Sequence, residues 1–268
     1  MIDTKPILHL VHQITRNDLA CAAILALAGL RLAVNWRNQA VVDRLDAHLL
    51  QFLSGTGMQV QRMEPLAQKR VENIIAWIQA FASFEELQLA VDEILNNFQF
   101  GVDADDFEDA VDRLASALGF QGQRPDKEWK EGPDNPWALR AGEYLLMECK
   151  SEVDLKRSEI NKTETGQMNN AIAWFERHYG GAKAKNVMII PTKTVGHAAG
   201  FSAPVEIVRN ASLKKLSQNV ENFFREFRQY DLASLSEEKV SKLLKMHHLA
   251  IDNILNEYSE EPKLLGTS

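Results

Sequence analysis

One short stretch, residues 144–150 (YLLMECK), constrains this chain more than any other part of its sequence. Its large apolar residues, which follow Gly142, are typical of a buried β-strand. Because side chains alternate across a strand, Glu148 and Lys150 are expected on one face and Cys149 on the other. A buried carboxylate and ammonium cost several kcal/mol unless each finds a partner or a metal ion. The stretch therefore predicts either an ordinary salt bridge on an edge strand or a catalytic site at a strand end.

The pattern around this strand is that of an α/β domain with a mixed sheet. Phe107, Val111 and Leu114 recur at helical spacing and predict a helix over residues 103–118. A second helix, over residues 164–179, separates two strands as a crossover connection would. Short apolar runs predict strands at residues 137–139, 144–150, 186–190 and 205–208, the first two joined by a hairpin turn. We therefore predict a mixed central sheet flanked by helices.

Three regions are predicted along the chain. Residues 1–100 show helical patterns without a chemical motif, which indicates an all-helical scaffold or docking domain. Residues 101–232 hold the α/β pattern. Residues 233–268 are predicted to form one helix, which a capping box starts at Ser234, followed by a loose tail.

Composition and charge limit the class of protein. The net charge of -7 argues against a protein that coats polyanions, but residues 150–228 hold 13 Lys and Arg against 8 Asp and Glu. The two cysteines form no disulfide framework or metal motif, and the start of the chain lacks a basic secretory signal. The apolar stretch at residues 19–30 is too short to span a bilayer. We therefore predict a cytoplasmic protein that is not in a membrane.

Three further polar residues are candidates for the site. Asp134 lies one hairpin upstream of Glu148, and two adjacent carboxylates favour a divalent cation, most naturally Mg²⁺. Glu108 falls beside the apolar stripe of its predicted helix, and Gln167 lies on the inward face of the next. Taken singly, each has an ordinary alternative: a turn residue, a solvated helix charge and a satisfied buried amide.

One ordered set of residues runs through the α/β region: Glu108 in FEDAV, Asp134 in GPDN, Glu148-Cys149-Lys150, and Gln167 in GQMNN. In that order they resemble the motifs of the PD-(D/E)XK nuclease superfamily, which has the restriction-endonuclease-like fold. The resemblance covers about residues 103–230. More loosely, the amino-acid sequence around these motifs is similar to that of nuclease domains appended to superfamily 2 helicases. The resemblance implies metal-dependent hydrolysis of phosphodiester bonds in DNA.

The resemblance also implies a role for each residue of the set. Asp134 and Glu148 would bind Mg²⁺, with Mn²⁺ as a substitute and the Cys149 backbone carbonyl as a further ligand. Glu108 would bind a second ion, directly or through water. Lys150 would orient or deprotonate the attacking water, and Gln167 would position Lys150 or that water.

Contacts with the substrate are expected from the basic segment, although some of its cations are ordinary surface charges. The candidates are Lys156, Arg157, Lys162, Lys183, Lys185 and Lys193. RNA stays open beside DNA as the substrate because phosphate contacts are common to both. The helical first region is a candidate docking site for a helicase or another partner in an antiviral defence system. The competing hypothesis is a catalytically silent nuclease fold that acts as an adaptor for nucleic acid or a helicase.

Overall fold

A five-stranded mixed sheet lies at the centre of the computed structural model, which describes residues 60–63 and 69–265. In spatial order its strands are β1 (Gln121–Gly122), β2 (Asn135–Arg140), β3 (Glu143–Cys149), β4 (Lys183–Ile189) and β6 (Val205–Val208). β1 and β3 pair antiparallel with β2, whereas β3, β4 and β6 are mutually parallel. The predicted hairpin and mixed sheet are confirmed.

Helices flank this sheet and a small second sheet adjoins it. The helices are α1 (Arg70–Gln79), α2 (Phe84–Asn97), α3 (Ala104–Ala117), α4 (Pro125–Trp129), α5 (Lys162–His178), α6 (Asn210–Arg225), α7 (Glu237–Met246) and α8 (Ile251–Asn256). The second sheet pairs β5 (Thr194–Val195) with β7 (Lys263–Leu264) in parallel. The predicted helices at residues 103–118 and 164–179 are confirmed as α3 and α5.

The alternation along β3 decides which layer each of its side chains meets. Leu145, Met147 and Cys149 belong to the apolar core that includes buried residues of α1, α2, α3 and α6. Tyr144, on the other face, makes ring contacts with Phe175 of α5. Because the period of a strand is two, Glu148 shares the face of Tyr144 and points towards the α5 layer. The strand thus separates its apolar and charged residues between two layers.

The first and last helices of the described residues, α1 and α8, belong to the same compact unit as the sheet, which runs over Arg62–Ser268. Buried residues of α1, α2, α7 and α8 join the core around β3. The predicted boundaries at residues 100 and 232 therefore lie inside this unit. The helices predicted within residues 17–52, and with them most of the predicted helical first domain, lie outside the described residues.

The prediction of one continuous C-terminal helix is wrong. α7 ends at Met246, and α8 begins at Ile251. Between them, His248 takes a left-handed conformation with φ 56, which stops the helix and lets Leu249 enter the core. The cap is Ser236, whose hydroxyl accepts from the Lys239 N–H at 3.4 Å, and not Ser234. A helical pattern alone could not show this break.

The tail predicted to be loose is paired as far as residue 265. Glu260 exchanges two backbone hydrogen bonds with Ile207 of β6, of 2.7 and 2.9 Å. Residues Lys263–Leu264 then form β7. These bonds fix the segment along the edge of the sheet.

Within the part of the chain that the structure describes, no single helix is long and apolar enough to cross a membrane. α1 and α2 meet that test of length and composition only when taken together, and they are bent by 113° from each other.

Candidate active site

Asp134, Glu148 and Lys150 come together at the carboxyl end of β3. The antiparallel register places Asn135 opposite Met147, so the preceding residue, Asp134, lies beside Glu148. The Lys150 Nζ is 2.7 Å from Glu148 Oε1 and 3.8 Å from Asp134 Oδ2. The two carboxylate oxygens are therefore no farther apart than the sum of these distances. The hairpin brings together residues that the sequence separates.

The Asp134 carboxylate is held in place by the backbone of the next strand. Its Oδ2 accepts a hydrogen bond of 2.6 Å from the Cys149 N–H. The loop before it depends on Gly132, which has φ +100 and where a Cβ would lie 2.8 Å from Trp174. Only glycine tolerates both the left-handed backbone and this close approach. The turn sequence Gly-Pro-Asp therefore fixes where the carboxylate points.

The carboxylates of Asp134 and Glu148 are both buried, and the Lys150 ammonium lies close to both. Burial, followed by the nearby Glu148 charge, raises the pKa of Asp134 to about 7. Burial also raises the pKa of Glu148, although Lys150 opposes this. Burial disfavours the charge on Lys150, but Glu148 and Asp134 outweigh it and raise the pKa of the ammonium. The site therefore holds two buried carboxylates, whose charged forms burial disfavours, and only one ammonium to offset them.

Cys149 contributes its backbone to this arrangement and its sulfur to the core. The thiol is buried and lies 3.8 Å from the Asn135 side-chain oxygen. Burial raises the pKa of the Cys149 thiol well above its usual value, so the sulfur is a neutral core group. This agrees with the expected orientation away from Glu148.

Glu108 reaches the edge of the same site from α3, but it already has a partner. Its carboxylate lies 2.5 Å from Arg124 Nη2, an ion pair that the sequence analysis did not anticipate. Burial, followed by the charge of Asp134, raises the pKa of Glu108. The Glu108 carbonyl accepts a 3.1 Å bond from the Asn135 side chain, which ties α3 to the start of β2.

Gln167 lies on the first turns of α5, exposed rather than buried as the sequence suggested. It lines an open cavity of ≈ 510 Å³ together with Asp134 and Glu148. The remaining lining residues are Asp126, Lys130, Glu131, Gly132, Asn170, Ala173, Trp174 and Arg177. The cavity thus lies between one face of α5 and the loop that carries Asp134.

Two cations of this cavity, Lys130 and Arg177, were missed by the sequence analysis. Arg177 lies 3.9 Å from Glu131 across the cavity. Lys130 follows α4 in a left-handed conformation with φ 61. The signal for Arg177 was its position seven residues after Asn170, about two helical turns, which places both on one face of the helix. Lys130 carried no comparable signal, because its position depends on the loop.

The six cations predicted to contact nucleic acid are dispersed. Arg157 lies 2.5 Å from Glu164, Lys185 lies 2.7 Å from Glu206, and Lys193 pairs with Glu260. Lys156, Lys162 and Lys183 are exposed. In the strand register Lys183 of β4 lies opposite Glu143 at the start of β3, at the other end of that strand from Lys150.

The donor set suits a hard divalent cation. Asp134 and Glu148 offer oxygen ligands, and Mg²⁺ commonly uses only one or two protein carboxylates together with water and substrate oxygens. Within the described residues, no group of three or more His, Cys, Asp or Glu is arranged to hold a metal ion. The two-carboxylate site therefore fits an ion that also takes ligands from solvent and substrate.

Compared with known proteins, the chain matches no family model, no curated protein and no solved structure.

Proposed function

We propose that this chain is a metal-dependent nuclease of the PD-(D/E)XK type that hydrolyses phosphodiester bonds in DNA. The observation that carries the proposal is the group of Asp134, Glu148 and Lys150, buried together beside an open cavity. The order of Glu108, Asp134, Glu148, Lys150 and Gln167 along the chain supports it, because it resembles the order in that superfamily. The mixed sheet flanked by helices is compatible with its fold.

Asp134 and Glu148 would hold Mg²⁺. When bound, the ion would stabilise charge on the phosphate and lower the pKa of a coordinated water. The hydrogen bond from the Cys149 N–H keeps Asp134 aimed at the site before any ligand arrives. Such preorganisation matters because a ligand displaced by one ångström weakens catalysis strongly.

Lys150 would act as a fixed positive charge. Without a bound ion the neighbouring carboxylates raise the pKa of Lys150, and its Nζ lies 2.7 Å from Glu148 Oε1. A charged Lys150 donates hydrogen bonds and cannot accept the proton of a water. Its proposed role is therefore to orient the attacking water and to offset negative charge on the phosphate.

The cavity wall would hold the strand next to the cleaved bond. Lys130 and Arg177 can pair with phosphates, and Gln167 and Asn170 offer amide groups along the same helix. We therefore propose that these four cavity residues, and not the dispersed cations of the basic segment, form the surface that contacts nucleic acid.

The first experiment is a cleavage assay with purified full-length chain, plasmid DNA, linear duplex, single-stranded DNA and RNA, each with Mg²⁺ or Mn²⁺. We expect divalent-dependent cleavage of DNA. Lys150→Met and Asp134→Asn should each lower the rate by at least about 100-fold, because Lys150 would act on the water and phosphate directly and Asp134 would hold the metal ion.

Lys214→Met is the matched control, since Lys214 is exposed on α6 and does not line the cavity. It should leave the rate unchanged. Cleavage of RNA but not of DNA would change the proposed substrate from DNA to RNA. No cleavage of any substrate by folded wild-type protein, with nucleic acid still bound, would favour a silent adaptor.

A further inference from the structure

Arg124 is a second nearly buried cation beside the candidate site. The residue is only 7% exposed, and its guanidinium bonds Glu108 Oε2 at 2.5 Å and Asp105 Oδ1 at 2.7 Å. Its Nε and Nη1 atoms are buried and have no hydrogen-bond partner within the described residues. Burying a guanidinium costs desolvation free energy. We therefore expect the positive charge of Arg124 to have a role at this position.

The backbone brings Arg124 into place from the chain segment that leads to Asp134. Arg124 immediately precedes α4, which begins with Pro125. Lys127 of α4 bonds the same Asp105 carboxylate at 2.7 and 2.9 Å but is half-exposed. Asp105 therefore has a second cation available, whereas the Arg124 bond is the only cationic contact shown for Glu108 among the described residues.

We propose that Arg124 takes the place of a second metal ion, so that the site binds a single divalent cation between Asp134 and Glu148. This inference rests on the proposed metal-dependent function. It reassigns Glu108, which the motif resemblance implied to be a ligand for a second ion, to a partner of Arg124.

The charges around the site agree with one ion. When all are ionised, the four carboxylates of Asp134, Glu148, Glu108 and Asp105 exceed the three cations of Lys150, Arg124 and Lys127 by one charge. One divalent ion leaves a single positive charge, which a phosphodiester group balances. With the same phosphodiester bound, a second ion would leave two uncompensated positive charges beside the Arg124 guanidinium, where burial limits screening by solvent.

The test counts Mn²⁺ ions bound to the full-length chain, by calorimetric titration and by the electron paramagnetic resonance signal of free Mn²⁺. We expect one ion for the wild type, and one for Lys127→Met, the matched control that removes a neighbouring cation. Arg124→Met should bind two, because Glu108 is released, and Arg124→Met combined with Glu108→Gln should return to one.

Glu108→Gln in the otherwise unaltered chain gives a second measurement that does not depend on the folding of Arg124→Met. It should keep one bound Mn²⁺ with a dissociation constant within about threefold of the wild type. Two ions in the wild type, or loss of an ion in Glu108→Gln, would overturn the inference and leave the nuclease proposal intact. No bound Mn²⁺ in folded wild type, together with no divalent-dependent cleavage, would overturn both.

Discussion

At the residue scale, the buried carboxylate of Asp134 connects stability with the proposed chemistry. It is 8% exposed, lies near Glu148 and has its pKa raised to about 7 by burial and by that neighbour. In the unfolded chain the same carboxyl would lose its proton near its ordinary value of 3.8. Between these two values the folded protein binds more protons than the unfolded chain. Folding is therefore weakened as the pH rises through this interval, unless a cation joins the site.

We predict that Asp134→Asn is more stable than the wild type at pH 8 in EDTA, by roughly 2–4 kcal/mol, because the amide carries no charge. The advantage should shrink towards pH 4, where the wild-type carboxyl also becomes neutral. Urea unfolding at several pH values measures this difference.

Asp106→Asn is the control for this prediction, since Asp106 is an exposed carboxylate on α3 that does not line the cavity. Its stability should stay within about 0.5 kcal/mol of the wild type at every pH. An Asp134→Asn difference that does not change with pH would contradict the assigned cause.

At the element scale, α5 forms one wall of the cavity. A capping box starts the helix: the Asn161 side chain accepts from the Glu164 N–H at 3.0 Å, and the Glu164 carboxylate accepts from the Asn161 N–H at 2.8 Å. From this fixed start, Gln167, Asn170 and Arg177 reach the cavity. The helix rises by about 1.5 Å per residue, so this wall is roughly 15 Å long. That length matches about four nucleotide steps of a strand.

We predict that Arg177→Ala weakens DNA binding by about fivefold to tenfold and lowers the slope of log affinity against log salt by about one. Fluorescence anisotropy in the Lys150→Met background, where cleavage is suppressed, provides the measurement.

Arg225→Ala is the matched control for Arg177→Ala, because Arg225 also pairs with a glutamate on its surface, Glu221, but does not line this cavity. Its affinity and salt slope should equal those of the Lys150→Met parent. Equal losses from the two arginine variants would show that the cavity is not the binding surface.

At the scale of the whole molecule, Arg70 joins parts of the chain that are far apart in sequence. Its guanidinium donates to the Leu118 carbonyl at 2.9 Å and to the Leu249 carbonyl at 2.8 Å. Its charge lies 4.1 Å from the centre of the Phe120 ring. These contacts connect α1 with the end of α3 and with the segment between α7 and α8. The bond to Leu249 lies at the point where the predicted C-terminal helix breaks.

We predict that Arg70→Met lowers the free energy of unfolding by about 2–4 kcal/mol, since two buried carbonyls lose their donors. Lys69→Met, at the exposed neighbouring position, should change it by less than about 0.5 kcal/mol. Chemical denaturation at neutral pH compares the two, and similar values for both would contradict the assigned role of Arg70.

The sequence by itself determined the features that depend on local periodicity. Alternation along residues 144–150 placed Glu148 and Cys149 on opposite faces of a strand, and the spacing of apolar residues identified α3 and α5. The tertiary structure decided which charges meet. The packing of separate elements brings Arg124 to Glu108, places Arg177 at the cavity and buries Leu249 in the core. Periodicity records the direction of a side chain relative to its own element, whereas ion pairs and helix breaks depend on how separate elements pack against one another.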